Sequence, residues 1–174
     1  CGDDSITVHG GVSDTVDVEG GNGADTIVHN GTGFAHLKGG NGNDRIIGGA
    51  SGELIEGGNG DDQVFGAGGL DIILGGKGND VLYGGLTADI ILGGDGNDQI
   101  YGLTGADLIL GNSLNELPSP ALMPPASAEN VLLRLAAIGE GNNYIEAGGG
   151  ADVVYAGGGN DLVFGGSEDD KVFA

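Results

Sequence analysis

The stretch GGNGNDRIIGGASGELIEGGNGDDQVF, residues 39–65, contains three copies of a nine-residue unit that repeats without a break to residue 110. Each unit has Gly-Gly-x-Gly-x-Asp, or a variant of it, followed by three residues of which the middle one is aliphatic. Three residues are too few for a helix, and a central aliphatic side chain favours a short strand with that residue facing inward. The glycines permit the left-handed backbone that a tight corner needs. The sequence therefore predicts short strands that alternate with glycine-rich loops.

Two units make one coil of eighteen residues. Successive coils would stack their strands in parallel, with the right-handed winding expected of such connections. The same spacing returns near the C-terminus, so we predict an all-β, right-handed parallel β-roll (solenoid) over residues 1–110 and 138–174. The insertion between them, residues 111–137, carries all four prolines of the chain. It predicts a Pro-rich linker that ends in a short helix, with Ser127 as its N-cap and Gly139 as its terminator.

The composition disfavours an ordinary globular core and several classes of partner. With 41 glycines and 39% hydrophobic residues among 174, a regular stack is better supported than a globule. The net charge of −21, with only five basic residues, disfavours nucleic acid and anionic membrane surfaces and favours divalent cations. No apolar run approaches the roughly 18 residues of a membrane span. The abrupt start at Cys1 indicates a fragment of a longer protein with adjoining domains.

The sixth position of the unit is acidic almost throughout. These acids are Asp25, Asp44, Glu53, Asp62, Asp71, Asp80, Asp89, Asp98, Asp107, Asp152, Asp161 and Asp170, with Glu53 in place of Asp in its loop. Stacking would bring each acid close to its counterpart in the next coil, and like charges at that distance need a cation between them. Calcium takes about six to eight oxygen ligands in flexible geometry, whereas zinc prefers His or Cys and magnesium a rigid octahedron. The pattern therefore favours calcium at the loops.

Loops with the complete motif alternate along the repeat with loops that have a degraded motif. The complete loops begin at Gly39, Gly57, Gly75 and Gly93, and the degraded loops begin at Gly48, Gly66, Gly84 and Gly102. Because alternate loops lie on opposite sides of a coil, one edge of the roll should bind metal better than the other.

The N-terminal stretch is less regular. Asp4, Asp14 and Asp25 are each followed two residues later by an aliphatic residue, Ile6, Val16 and Ile27 respectively, which predicts imperfect coils. The segment 30–38, NGTGFAHLK, has lost its acid, so we expect a gap in the metal row at that loop.

The motifs GGNGND, GGNGDD, GGKGND and GGDGND, each followed by x-aliphatic-x, resemble the RTX or haemolysin-type calcium-binding repeats. The resemblance implies a parallel β-roll in which each calcium ion lies between the loops of adjacent coils, held by the sixth-position Asp side chains and by loop carbonyls. The loop residues that it implicates are Gly39, Asn41, Gly57, Gly58, Asn59, Gly60, Gly75, Gly76, Lys77, Gly78, Gly93, Gly94, Asp95 and Gly96. It further implies secretion by Gram-negative bacteria, commonly through a type I exporter, as part of a toxin, protease, lipase or adhesin.

Residues outside the loops predict two different outer faces. One face is aliphatic and comprises Leu54, Ile72, Leu74, Ile90, Leu92, Leu108 and Leu110. A face this continuous should be covered, either by a helix over residues 131–138, by a neighbouring domain or by a second copy of the chain. The other face carries an aromatic column, Phe65, Tyr83 and Tyr101, which we interpret as a stacking ladder. The histidines His9, His29 and His36 share no spacing and are predicted to be surface residues.

No nucleophile and base occur at a catalytic spacing, so we expect a protein without enzymatic activity. The function that the repeats favour is calcium-triggered folding and structural support outside the cell. Two alternatives stay open. A parallel β-helix polysaccharide lyase or epimerase would concentrate unusual acids and bases in one or two coils, and an adhesion or assembly module would use the aliphatic and aromatic faces as contact surfaces.

Overall fold

The computed structural model describes residues 2–9, 11, 15–111, 142–157 and 159–173. These residues form sixteen β-strands and no helix. The strands are β1 (Ser5–Val8), β2 (Val16–Asn22), β3 (Thr26–His29), β4 (Ala35–Asn41), β5 (Arg45–Ile47), β6 (Leu54–Asn59), β7 (Gln63–Ala67), β8 (Ile72–Lys77), β9 (Val81–Gly85), β10 (Ile90–Asp95), β11 (Gln99–Thr104), β12 (Leu108–Leu110), β13 (Tyr144–Gly149), β14 (Val153–Tyr155), β15 (Leu162–Ser167) and β16 (Lys171–Phe173). The described part of the chain holds no helix that could cross a membrane.

Odd-numbered and even-numbered strands form two separate parallel sheets. One sheet has the order β1-β3-β5-β7-β9-β11-β13-β15, and the other has the order β16-β14-β12-β10-β8-β6-β4-β2. In the regular region each strand pairs with the strand one coil away, as where Ile46 pairs with Val64 and Val64 with Leu82. The parallel solenoid predicted from the nine-residue unit is confirmed.

The predicted insertion leaves both sheets continuous. Strand β13 pairs with β11, and β14 pairs with β12, so the coils on either side of the insertion are direct neighbours. Gly111 is the first residue of a unit, and Asn143 is the sixth residue of that same unit, so the extra chain departs from within one loop. The predicted linker and helix, including residues 131–138, lie outside the described residues.

The eighth position of each unit faces the interior between the two sheets. The side chains there that are fully buried are Ile27, Leu37, Ile46, Ile55, Val64, Ile73, Leu82, Ile91, Ile100, Ile109, Ile145 and Val154. Burial of each contributes roughly 1.5–3 kcal/mol. Two such side chains give each eighteen-residue coil only a small core, so strand hydrogen bonds and the loops also have to stabilise the fold.

The N-terminal coils depart from the predicted register in one place. Ile6 pairs with Ile27 across β1 and β3, as predicted. The prediction for Val16 is wrong, because Val18 pairs with Leu37 and faces the core, while Val16 takes the sixth position of its unit. The two valines point to the same side of β2, so alternation alone could not distinguish them, whereas counting back from the Gly20 loop would have done so.

The outward side chains give the two sheets different surfaces. Leu54, Ile72, Ile90 and Leu108 lie in one continuous row on the even-numbered sheet, so the aliphatic residues share a face as predicted. On the odd-numbered sheet the predicted aromatic ladder is confirmed. Its ring centroids lie 4.8 Å apart for Phe65–Tyr83 and 4.7 Å apart for Tyr83–Tyr101, with the rings within 9° of parallel.

Candidate metal centre

The sixth-position acids form two ladders, one along each edge of the roll. The first edge holds Asp25, Asp44, Asp62, Asp80, Asp98, Asn143 and Asp161, and the second edge holds Glu53, Asp71, Asp89, Asp107, Asp152 and Asp170. In each ladder the N–H of one residue donates to the side-chain Oδ1 of the residue in the next coil. The distance is 2.8 Å from Asp62 N to Asp80 Oδ1 and 2.9 Å from Asp71 N to Asp89 Oδ1. The predicted proximity of successive acids is confirmed on both edges.

The second carboxylate oxygen of most ladder acids is buried without a hydrogen-bond partner among the described residues. These atoms are the Oδ2 oxygens of Asp25, Asp44, Asp62, Asp71, Asp80, Asp89, Asp98, Asp107 and Asp152. Each of these residues is at most 2% exposed. An unsatisfied buried polar group costs roughly 1–3 kcal/mol, and more when it is charged. A row of such oxygens at a fixed spacing therefore needs a common partner.

Each orphaned oxygen except that of Asp152, whose unit begins with Ala147, lies at a corner against the first glycine of its own unit. A β-carbon added to Gly57 would lie 2.5 Å from Asp62 Oδ2 and 2.6 Å from the carbonyl oxygen of Gly75, the first glycine of the next coil. The same arrangement occurs on the second edge, where a β-carbon on Gly84 would lie 2.7 Å from Asp89 Oδ2. Two acceptor oxygens from adjacent coils thus converge at each corner, and neither can donate a proton to the other unless the carboxyl is protonated.

Asn143 shows how a corner is satisfied when a donor is present. Its Oδ1 accepts the N–H of Asp98 at 2.9 Å, as an aspartate would. Its Nδ2 donates to the carbonyl oxygen of Ala156 at 3.2 Å. Ala156 is the first residue of the corresponding unit in the next coil, so this carbonyl corresponds to that of Gly75 beside Asp62. The amide N–H of Asn143 therefore satisfies the carbonyl oxygen at this corner, whereas an ionised aspartate has no N–H or O–H to donate to it.

The carbonyls that the sequence implicated fall into two groups. The first-position carbonyl oxygens converge with an aspartate oxygen of the preceding coil, beside the first glycine of that coil. They belong to Gly39, Gly57, Gly75 and Gly93. The third-position carbonyl oxygens accept the N–H of the fourth-position glycine of the preceding coil at 2.7–2.9 Å. They belong to Asn41, Asn59, Lys77 and Asp95. A carbonyl has two lone pairs, so one acceptor site of each third-position carbonyl is still available.

The remaining implicated glycines shape the loop backbone on the first edge. Gly58, Gly76 and Gly94, at the second position, have φ between +110° and +122°, and the fourth-position Gly60, Gly78 and Gly96 have φ between +128° and +140°. On the second edge Ala67 and Leu103 take the second position with φ near +79° and +76°. The two edges therefore share the carboxylate corner and differ in loop backbone, and the better occupancy of the first edge stays a prediction.

Burial raises the pKa of the ladder carboxyls far above their ordinary values. The pKa rises to about 7 for Glu53, Asp62, Asp71, Asp80, Asp89 and Asp107 and to about 6 for Asp98. Loss of hydration is the main cause, and the N–H donated to each carboxyl acts in the opposite direction. Neighbouring carboxylates, such as Asp80 and Asp44 beside Asp62, raise the pKa further. In the absence of a cation, these corners favour the protonated form.

The stability of the roll should therefore depend on pH in opposite directions with and without calcium. The ion-free fold binds more protons than the unfolded chain, because the pKa of Asp62 rises from 3.8 to about 7 on folding. That stabilisation is complete below about pH 4 and is lost as the pH rises through about 7. With saturating calcium, protons compete with the ion, so acid should weaken the fold. The β-sheet circular dichroism at about pH 5.5 and pH 8, after removal of all calcium and then with excess calcium, measures both trends, with thermal unfolding recorded wherever that signal shows a folded chain. Greater stability of the ion-free roll at the higher pH would contradict the prediction that its buried carboxyls are protonated.

The donor chemistry of the corners fits calcium. Each corner with an orphaned aspartate oxygen offers carboxylate and carbonyl oxygens, which are the ligands of a hard cation rather than the nitrogen and sulfur ligands that zinc prefers. Within the described residues, no three His, Cys, Asp or Glu side chains gather around one point. An ion at these corners would therefore take backbone oxygens together with carboxylates.

The prediction that all three histidines are surface residues is wrong for His29. His29 is 1% exposed, and its Nδ1 lies 3.2 Å from Oε1 of Glu53. His36 is half-buried with its Nε2 2.8 Å from Glu56 Oε1, and His9 is exposed. Three irregularities could have revealed the pair, namely an acid-free loop at 30–38, an extra residue there and a Glu in place of Asp one coil later.

Comparison with known proteins agrees with this architecture. A search of curated proteins gives no significant match. The profile of the RTX calcium-binding nonapeptide repeat matches the chain in four places, at residues 29–64, 48–82, 83–115 and 138–172. These matches cover both the complete and the degraded loops and resume after the insertion. The chain therefore belongs to the RTX calcium-binding nonapeptide repeat family.

Proposed function

We propose that this chain is the calcium-binding β-roll module of a secreted bacterial protein such as a toxin, an exoenzyme or an adhesin. In this proposal it folds when it meets calcium outside the cell and then serves as a structural support without catalytic activity. The observation that carries the proposal is the buried pairing of two acceptor oxygens, one carboxylate and one carbonyl, at successive corners of the roll. A bound calcium ion would supply the positive charge that both oxygens lack.

The residues that would hold the ions are the ladder aspartates and the loop carbonyls of adjacent coils. On the first edge these are Asp44, Asp62, Asp80 and Asp98 with the first-position carbonyls beside them. The carboxylates are fixed in place by the N–H groups of the preceding coil, so their orientation does not depend on the ion. Asp161 and Asp170 continue the two ladders and are half-buried.

The energetics of the chain support a fold that depends on the calcium concentration around it. At a net charge of −21 and with two core side chains per coil, the ion-free chain is opposed by repulsion and by the large backbone entropy of glycine. Calcium that binds only the folded form adds about 2.7 kcal/mol per site when its concentration is 100 times the dissociation constant. Dissociation constants of about 10⁻⁴–10⁻³ M, the range of extracellular modules, would keep the chain unfolded in a calcium-poor cytosol.

A calcium titration with two variants of adjacent residues tests this proposal. The wild-type chain should gain β-sheet circular dichroism cooperatively with calcium and should not do so with magnesium at the same concentrations. Asp62→Asn should make the transition shallower and shift its midpoint, because the buried corner loses its ion while the new amide can donate to the Gly75 carbonyl, as Asn143 does at its own corner. Asp61→Asn is the matched control, since Asp61 is exposed in the same loop and an amide oxygen can still accept the Asn79 N–H. Equal shifts for the two variants, or equal responses to the two metals, would refute the proposal.

A second candidate function is assembly through the aliphatic face of the even-numbered sheet. Its outward rows, which include Ile72, Leu74, Ile90 and Leu92, are half-buried and run along consecutive coils. An adhesion or assembly module would self-associate in calcium, and replacement of Leu74 and Leu92 by Ser would abolish that association. Sedimentation velocity of the calcium-loaded chain and of this variant distinguishes the assembly module from a purely structural roll.

A further inference from the structure

At one corner of the second edge, both oxygens of the ladder carboxylate have protein partners. At the corner of Glu53, Oε2 accepts the N–H of Gly49 at 3.0 Å, and Oε1 lies 3.2 Å from Nδ1 of His29. Both side chains have no exposed surface. Glu53 is thus the ladder acid of the second edge whose two oxygens both have partners, whereas Asp71, Asp89, Asp107 and Asp152 each have an orphaned Oδ2.

The sequence around this corner explains why an aspartate would not serve. Ala35 aligns with Glu53 one coil earlier and carries no carboxylate, so the ladder of the second edge has no acid on that side. The extra methylene of Glu53 lets its carboxylate reach toward the preceding coil, where His29 ends strand β3. Gly49 makes the approach possible, because a β-carbon there would lie 2.8 Å from both His29 Nδ1 and the carbonyl oxygen of Gly31.

In the His29–Glu53 pair, a hydrogen-bond donor takes the place that an ion would take at the other corners. The Nε2 atom of His29 is buried without a partner among the described residues, whereas Nδ1 faces a carboxylate oxygen. A bare ring nitrogen costs less to bury than an unpaired N–H, so the shared proton belongs between Nδ1 and Oε1. The imidazole N–H of His29 therefore donates to the Glu53 carboxylate, just as the amide N–H of Asn143 donates to the carbonyl oxygen of Ala156.

We infer that His29 takes the place of a calcium ion at the Glu53 corner, so that the calcium row of the second edge starts at Asp71. This inference rests on the proposed calcium function and adds to it an ion-free corner fixed by a side chain from the acid-free coil. In this arrangement Glu53 is a structural acid and His29 a positioning residue, and neither binds the metal.

Counting bound calcium tests the first half of the inference. Equilibrium dialysis should give the same number of calcium equivalents for Glu53→Gln as for the wild type, because the corner holds no ion. Asp80→Asn, which removes the charge from a corner with an orphaned oxygen, should lower that number. Loss of an equivalent in Glu53→Gln would overturn the inference. Failure of the wild type to bind any calcium would instead refute the proposed function, so the two failures are distinguishable.

A double-mutant cycle in saturating calcium tests the second half. His29→Gln should raise the unfolding equilibrium constant about tenfold, the effect of one charge-assisted hydrogen bond, and Glu53→Gln should add little to it because the pair is already broken. His36→Gln is the control, since His36 pairs with Glu56 and Asp17 on the outer face and should be additive with Glu53→Gln. Additive effects of His29→Gln and Glu53→Gln would overturn the inference.

Discussion

Removing calcium with a chelator at about pH 7.5 should convert the folded roll into an expanded, unfolded chain. The interior holds one aliphatic side chain per nine residues, and the ladder carboxylates lie in rows that repel one another once they are ionised without a cation. Small-angle scattering should show the radius of gyration rising from about 16 Å, the value for a compact chain of 174 residues, toward about 44 Å. The β-sheet circular dichroism should disappear in the same transition.

The return of calcium is the control for this experiment. Addition of excess calcium should restore the compact radius and the β signal, which excludes aggregation or damage as the cause of their loss. A calcium-free chain at that pH that keeps its radius and its melting temperature would show that burial and strand hydrogen bonds are sufficient, and the ladder corners would then need another explanation.

Gly76→Ala should destabilise the calcium-loaded roll by about 2–5 kcal/mol. Gly76 has φ of +118°, and an added β-carbon would overlap the carbonyl oxygen of Gly58 and lie 3.0 Å from its carbonyl carbon. Gly94 stacks on Gly76 in the same way, so the loop cannot move aside without displacing a second coil. Chemical denaturation in saturating calcium measures the loss.

Gly68→Ala is the matched control from the second edge. The nearest atom to a β-carbon at Gly68 lies 3.6 Å away, and the residue does not have the left-handed backbone of Gly76. Its replacement should leave the stability within about 1 kcal/mol of the wild type, since alanine at a compatible position restricts the unfolded chain. Equal losses for Gly76→Ala and Gly68→Ala would indicate a general glycine requirement and contradict the stacked-loop geometry.

The regular part of the fold could be predicted because one short unit determines it. Ile55, Val64 and Ile73 recur at nine-residue intervals, and each is fully buried where the period places it. The proximity of Asp62 to Asp80 follows from the same period. The periodic sequence does not reveal that one oxygen of Asp80 accepts the N–H of Asp62 while the other stays without a donor among the described residues, because that depends on the three-dimensional shape of the corner.

The irregular part could not be predicted in the same way, because it depends on compensation between coils. His29 and Glu53 are 24 residues apart, a separation that is not a multiple of the eighteen-residue coil, so no column contains both. Val16 and Val18 both satisfy strand alternation, and only the loop that follows them identifies the inward one. At the His29–Glu53 pair, a side chain of the coil with an added residue contacts an acid of the next coil that has been changed from Asp to Glu.

The column of Phe65, Tyr83 and Tyr101 gives the protein a built-in optical reporter. The chain has four tyrosines and no tryptophan, so tyrosine dominates its near-ultraviolet spectrum. Rings held parallel at 4.7 Å couple their electronic transitions, and that coupling ends when neighbouring coils separate. Near-ultraviolet ellipticity therefore offers a label-free signal that distinguishes stacked coils from strands that have formed without stacking.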